Sequence, residues 1–269
     1  MEFRTIVDIA KPEFRIEPCE ELLFVGSCFA DSIGQRFREE GFPVTVNPYG
    51  TMYNPASVLH TIEKYEGKPR TAFITLGTNH VYRLKETGEI VDNCEKRPQA
   101  LFQEEELSVD ACADYLRQAI AVLRKRRPDV RVVMTVSPIR YRKYGYHESQ
   151  VSKATLLLAI EKVLACDRIA GHIAYFPAYE IVMDELRDYR FYAADMLHPS
   201  AQAVEYIWER LVESYFSPEA KAFLDEWRPL KQALGHKPFN PDSEEYRALM
   251  DKTMLKVAEL RKKYSTFAL

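Results

Sequence analysis

The stretch Leu22-Leu23-Phe24-Val25-Gly26-Ser27-Cys28-Phe29-Ala30-Asp31 constrains the fold more than any other part of this chain. Four apolar residues suit a buried strand and Gly26 suits a tight turn. Phe29, Ile33 and Phe37 then recur at the spacing of one buried helical stripe. Strand, turn and helix therefore meet at Ser27 and Cys28, two side chains able to act as nucleophiles. In a parallel α/β sheet, ligands bind at the carboxyl ends of strands, where helices begin.

The same alternation continues along the chain. Phe42–Val46, Thr71–Leu76, Val130–Val136 and His172–Phe176 read as further strands. Helical patterns lie between them at 56–64, 108–127 and 149–165, and a last core helix carries Val204, Ile207, Trp208, Leu211 and Tyr215. Val81 to Asn93 reads as a β-hairpin excursion around Glu86-Thr87-Gly88, and residues 1–20 as an irregular lead-in. The expected fold is three-layer α/β/α with a parallel five-stranded sheet. Residues 1–216 form that domain. Residues 217–269, more charged, form an appended C-terminal helical hairpin whose Leu249, Met250, Met254, Val257 and Leu260 offer a surface for a partner or a second copy.

Composition narrows the partners. Lys and Arg total 37 against 40 for Asp and Glu, a net charge of −3, which argues against nucleic acid or an anionic membrane as the main partner. No run of about 18 apolar residues suggests a spanning helix, and the first residues lack the apolar core of a leader. Cys19, Cys28, Cys94, Cys112 and Cys166 contain no C-x-x-C pair. That fits a reducing compartment, so the expectation is a cytoplasmic protein without a Cys-rich metal site.

The strand ends carry residues that suit acyl chemistry together. A nucleophile, Ser27 or Cys28, needs a base and donors for the oxyanion. His198, three residues after Asp195, suits the base, with Asp195 fixing its tautomer. Gly50, Asn79 and the nucleophile's own N–H suit the oxyanion hole. His80 and the basic, tyrosine-rich loop 140–147, with Arg140 and Arg142, suit substrate binding. Each residue also has a plainer reading: Ser27 as a helix cap, Cys28 as a small buried residue, Asn79 as a turn former, the loop as solvated surface.

Gly26-Ser27-Cys28-Phe29-Ala30 spells the motif of the GSCFA family, which the chain resembles from about residue 20 to 215, and the chain also resembles the wider SGNH (GDSL-like) hydrolases. Asn47-Pro48-Tyr49-Gly50, Val136-Ser137-Pro138 and Asp184 to Pro199 belong to the resemblance. Of the four SGNH blocks, Gly77-Thr78-Asn79 matches the third, with His80 in place of its final Asp. Asp195-Met196-Leu197-His198 matches the last, and Gly50 stands for the second by position alone. The first block departs: aligned on Gly26, Ser27 takes the Asp position and Cys28 that of the nucleophile. Strand register favours Cys28 and superfamily chemistry favours Ser27. The resemblance implies an esterase or acyltransferase acting on a small-molecule or carbohydrate ester, needing no cofactor or metal. The altered blocks leave open the alternative of an inactive binding or scaffold protein.

Overall fold

Strands β1 (Leu22–Gly26), β2 (Val44–Val46), β3 (Thr71–Leu76), β7 (Arg131–Val136) and β8 (Ile173–Tyr175) form one sheet in the computed structural model, which describes residues 4–92, 97–167 and 171–269. Every pairing is parallel and the order is β2-β1-β3-β7-β8. Alternate residues of β1 go to opposite faces, as the twofold period of a strand requires. Leu22 and Phe24 join one apolar cluster and Leu23 and Val25 the other. Helices α1 (Cys28–Glu39) and α6 (Ala201–Tyr215) cover the first face. Helices α2 (Pro55–Lys64), α3 (Val109–Arg126) and α4 (Gly145–Asp167) cover the second. The three-layer expectation holds.

The first face is aromatic. Phe24 stacks on Phe73 at 4.4 Å, and Phe37 of α1 meets Trp208 of α6 edge-on at 4.8 Å. Such pairs add roughly 0.5–1.5 kcal/mol each beyond burial alone.

The expected boundary at 216–217 falls between α6 and α7 (Pro218–Leu234), where Ser217 caps α7 through the Ala220 N–H. Packing runs straight across it. Phe223 is fully buried against Phe42, and the Trp227 indole N–H donates to Glu39 O at 3.1 Å. Helix α8 (Glu244–Lys263) buries Val257 and Leu260 in the same cluster, leaving Leu249, Met254 and Leu255 exposed. The chain end returns to α1, with Ala268 N–H on Gly41 O at 2.9 Å.

A second, antiparallel sheet lies outside the first: β4 (His80–Leu84) between β5 (Ile90–Val91) and β6 (Phe102–Glu106). The hairpin expected from residue 81 supplies β4 and β5, though its last residue, Asn93, and the neighbouring Cys94 lie outside the described residues. Strand β6 was not expected, because Glu104-Glu105-Glu106 lacks the alternation of a half-buried strand. The segment 178–191 coils through a short α5 (Ala178–Glu180), a π-helical turn over Ile181–Glu185 and a 3₁₀ turn over Tyr189–Phe191. Among the described residues, no helix is long and apolar enough to cross a membrane.

Candidate active site

Gly26 closes β1 at a φ of +141°, and a Cβ there would sit 2.0 Å from Thr75 O of the adjoining strand. Only glycine fits so close a backbone approach. Ser27 follows with its N–H on Thr75 O at 2.9 Å. Its side chain is fully buried: Oγ accepts the Phe29 N–H, capping α1, and lies 3.1 Å from Thr75 Oγ1. Cys28 is the first residue of α1 and is only partly buried; its Sγ stands 3.7 Å from the Tyr53 hydroxyl. Its N–H is among the first of a helix, which have no intrahelical acceptor.

The exit of β2 is stapled to this turn. Asn47 adopts φ +41°, accepts the Gly26 N–H at 2.9 Å and donates to Asp31 Oδ1 at 2.9 Å. Gly50 is exposed and its N–H closes a turn on Asn47 O at 2.9 Å, so that donor is taken up within the loop. Beyond β3, the Gly77 and Thr78 N–H groups both donate to Tyr53 O at 2.8 Å. Asn79 is buried, with its N–H on Ser152 Oγ and an amide hydrogen on Leu107 O at 2.8 Å. Neither expected oxyanion donor is therefore grouped with Cys28 by a hydrogen bond. His80 is buried too, stacked on Tyr144 at 3.8 Å with Glu104 3.5 Å from its Nδ1.

Asp195 and His198 share a tight loop turned at Met196, whose φ is +60°. The loop is closed by Ala193 N–H on His198 O and Ser200 N–H on Phe191 O. Asp195 Oδ1 accepts the Leu197 and His198 N–H groups, and Oδ2 lies 2.6 Å from His198 Nδ1. Those two backbone donors, then the imidazole, hold the Asp195 carboxyl down at about 2. An ionised Asp195 makes Nδ1 the donor, which leaves Nε2 as the nitrogen able to take a proton.

Two consecutive residues past β7 tie the halves together. Arg140 N–H donates to Leu197 O at 3.1 Å and its guanidinium to Met196 O at 3.0 Å, gripping the His198 loop. Tyr141 turns to the other half. Its ring meets Tyr53 edge-on at 5.8 Å, and its hydroxyl lies 2.1 Å from where a Cβ on Gly77 would sit. Burial first, then Tyr53 and Cys28, raise that hydroxyl well above the usual tyrosine range, and among the described residues it has no hydrogen-bond partner. Arg140 also borders a cavity of about 370 Å³ with Tyr146, Tyr189 and Tyr192. Arg142, in a 3₁₀ turn over Arg142–Tyr144, is exposed.

The amino-terminal turns of α4 support all of this and went unread in the sequence. Ser149 accepts the Tyr141 N–H, Ser152 bonds Thr78 Oγ1 and the Asn79 N–H, and Lys153 donates to Gly77 O and Ser137 O at 2.7 Å each. Lys153 is buried, and desolvation lowers its ammonium to about 7. A signal was present. The buried stripe Leu156, Ala159, Ile160, Val163, extended backwards by threes and fours, lands on Ser152, Lys153 and Ser149. Among the described residues, no group of three or more His, Cys, Asp or Glu side chains is placed to hold a metal ion.

Comparison with known families gives matches to the GSCFA family over residues 21–72 and 67–211, and to the GSCFA domain protein, C-terminal domain, over 227–269. Comparison with curated proteins gives no match. Among solved structures, one described as a GDSL-like lipase from Parabacteroides merdae superposes with a TM-score of 0.51 at 11% identity, covering 76% of this chain and 99% of that one. A GDSL-like lipase from Bacteroides thetaiotaomicron gives 0.46 at 15% identity, covering 77% and 88%. The former shows that this chain has the SGNH (GDSL-like) fold.

Proposed function

The chain belongs to the GSCFA family, and from that premise we propose a cysteine-dependent, SGNH-like esterase or acyltransferase in which Cys28 is the nucleophile, His198 the base and Asp195 its orienting carboxylate. The observation that carries this reading is the division of labour at the first turn. Ser27 Oγ is buried and engaged as a cap, whereas Cys28 Sγ is partly accessible at a helix N-terminus, whose positive end favours developing negative charge. The ionised Asp195 on His198 Nδ1 supports the base assignment.

In this mechanism Cys28 Sγ gives its proton to His198 Nε2 and attacks the acyl carbon of an ester. The carbonyl π pair moves onto oxygen, then returns as the ester C–O bond breaks. The leaving alkoxide takes the proton from His198, leaving a thioester. Water, deprotonated by His198, releases the acid and restores the thiol; an alcohol in place of water gives transfer. The cavity beside Arg140 suits the alcohol part of the substrate. Its exposed rings Tyr146 and Tyr189 offer stacking faces of a kind that sugar esters use. Arg140 is the contact in this reading; Arg142 and His80 are not among the residues that line this cavity.

The engaged Gly50 N–H and Asn79 amide favour a second reading, an SGNH-fold binding protein without turnover, its partner or second copy meeting the exposed Leu249, Met254 and Leu255 of α8. Thioester trapping separates the two. With a 4-nitrophenyl ester, mass spectrometry should find the acyl group on the peptide holding Cys28 and none in Cys28→Ala. No acyl adduct and no nitrophenol release from the folded protein would favour the binding reading.

A further inference from the structure

We propose that the Tyr53 hydroxyl is a side-chain donor that holds the oxyanion, alongside the Cys28 N–H, when Cys28 attacks an acyl group. The proposal rests on the assignment of Cys28 as nucleophile. The oxyanion forms one bond beyond the carbon that sulfur attacks. A hydroxyl 3.7 Å from the sulfur can therefore close to the roughly 2.7–3.1 Å of a productive donor. Beside it stands the N–H of Cys28 itself, at the first turn of α1. The remaining expected donors are engaged: Gly50 N–H with Asn47 O, Gly77 and Thr78 N–H with Tyr53 O, and Asn79 N–H with Ser152.

Tyr53 is also held still, which a preorganised donor requires. Its carbonyl accepts two N–H groups at 2.8 Å, and its ring lies against Tyr141. Lys153 Nζ sits 4.9 Å from the Tyr141 ring and fixes Gly77 O, so the peptide that anchors Tyr53 is itself anchored. Burial, then the neighbouring Cys28 and Asp31, push the Tyr53 hydroxyl up to about 12, so it keeps its proton at neutral pH. The ground state offers it only a weak sulfur contact; the tetrahedral adduct offers an anionic oxygen. That difference lowers the barrier, not merely the binding energy. The tyrosine proton stays on Tyr53 throughout, and the electron pair it stabilises returns to the carbonyl as the ester C–O bond breaks.

The test uses Tyr53→Phe beside wild type and Cys28→Ala in the full chain. The residue is 39% exposed and the substitution keeps the ring, so the fold should hold, which far-UV circular dichroism checks. With 4-nitrophenyl acetate, kcat should fall about 10²–10³-fold with KM little changed. Alkylation of Cys28 by iodoacetamide, which forms no oxyanion, should stay within about threefold of wild type. A kcat within threefold of wild type overturns the proposal. So does an equal fall in turnover and alkylation, since Tyr53 would then be acting on the thiol. Full activity in Cys28→Ala would instead remove the nucleophile assignment, whatever Tyr53 does.

Discussion

The imidazole of His198 lies 2.6 Å from an Asp195 carboxylate that also accepts two backbone N–H groups of its own loop. The carboxylate is thereby fixed before any substrate arrives, and it fixes the imidazole in turn.

One consequence concerns acid pH. The folded Asp195 carboxyl, at about 2, lies below the unfolded carboxylate value of about 3.9. The stability it adds is present above the unfolded value and is lost as pH falls towards about 2. The pH–rate profile of kcat/KM should therefore show no inflection from this carboxyl between about pH 3.5 and 5. Asp195→Asn removes the charge that orients Nδ1–H, and turnover should fall about 10²–10⁴-fold. An acid limb displaced by that substitution with the rate preserved would contradict the role.

Ser27 and Cys28 should separate cleanly. Ser27→Ala removes the α1 cap and the contact with Thr75, costing about 0.5–2 kcal/mol in urea unfolding. Its kcat/KM should remain within about threefold, because the oxygen lost faces the core. Cys28→Ala should abolish turnover with little change in stability. The reverse pattern would return the nucleophile to Ser27.

Most of the architecture was legible because it rests on apolar periodicity and capping chemistry. Strands β1, β3 and β7, the stripe of α1 and the caps Ser27 and Ser108 all follow local rules. The Asp195-x-x-His198 loop was legible as well, since a short-range pair needs no long-range knowledge. What could not be read depends on partners distant in sequence. Nothing local says that the Asn79 amide meets Leu107, 28 residues on, or that Asn47 reaches back to Gly26 and Asp31. Lys153 was obscured by its charge, which reads as solvated although it occupies the buried stripe. The C-terminal helices read as an appendage from their charged composition, but how they attach was not legible: three buried aromatics, Phe223, Trp227 and Phe267, pack them on the core.

Lys153 gives stability a pH dependence of known sign. Its folded value of about 7 lies below that of an unfolded lysine, about 10.4. Between these the unfolded chain binds the extra proton, so this group makes stability rise with pH. Below about 7 both states are protonated and the burial penalty is fully present. Buried Cys19 and Cys112, pushed up to about 12, act oppositely above the ordinary thiol range. The informative quantity is thus the difference between wild type and Lys153→Met. Urea unfolding should show wild type gaining roughly 2 kcal/mol on Lys153→Met between about pH 7.5 and 9.5. A difference independent of pH would mean the lysine is not buried as described.

The last prediction concerns residues 217–269. Trp227 is 3% exposed, packs edge-on against Phe267 at 5.0 Å and donates its indole N–H to the last turn of α1. Phe267 in turn covers Gly41, where φ is +79° and a Cβ would lie 2.1 Å from the Phe267 ring. Phe267 also meets Phe223, which packs on Phe42 and, through it, on Phe37 of the Cys28 helix. Trp227→Ala should therefore cost about 3–5 kcal/mol, like other large-to-small changes in a core. It should lower the melting midpoint of the whole protein in a single transition. Deleting residues 217–269 should go further, exposing Phe42 and Phe216 and leaving an aggregating fragment without esterase activity. A well-folded, active 1–216 fragment would show instead that the C-terminal helices are an independent addition.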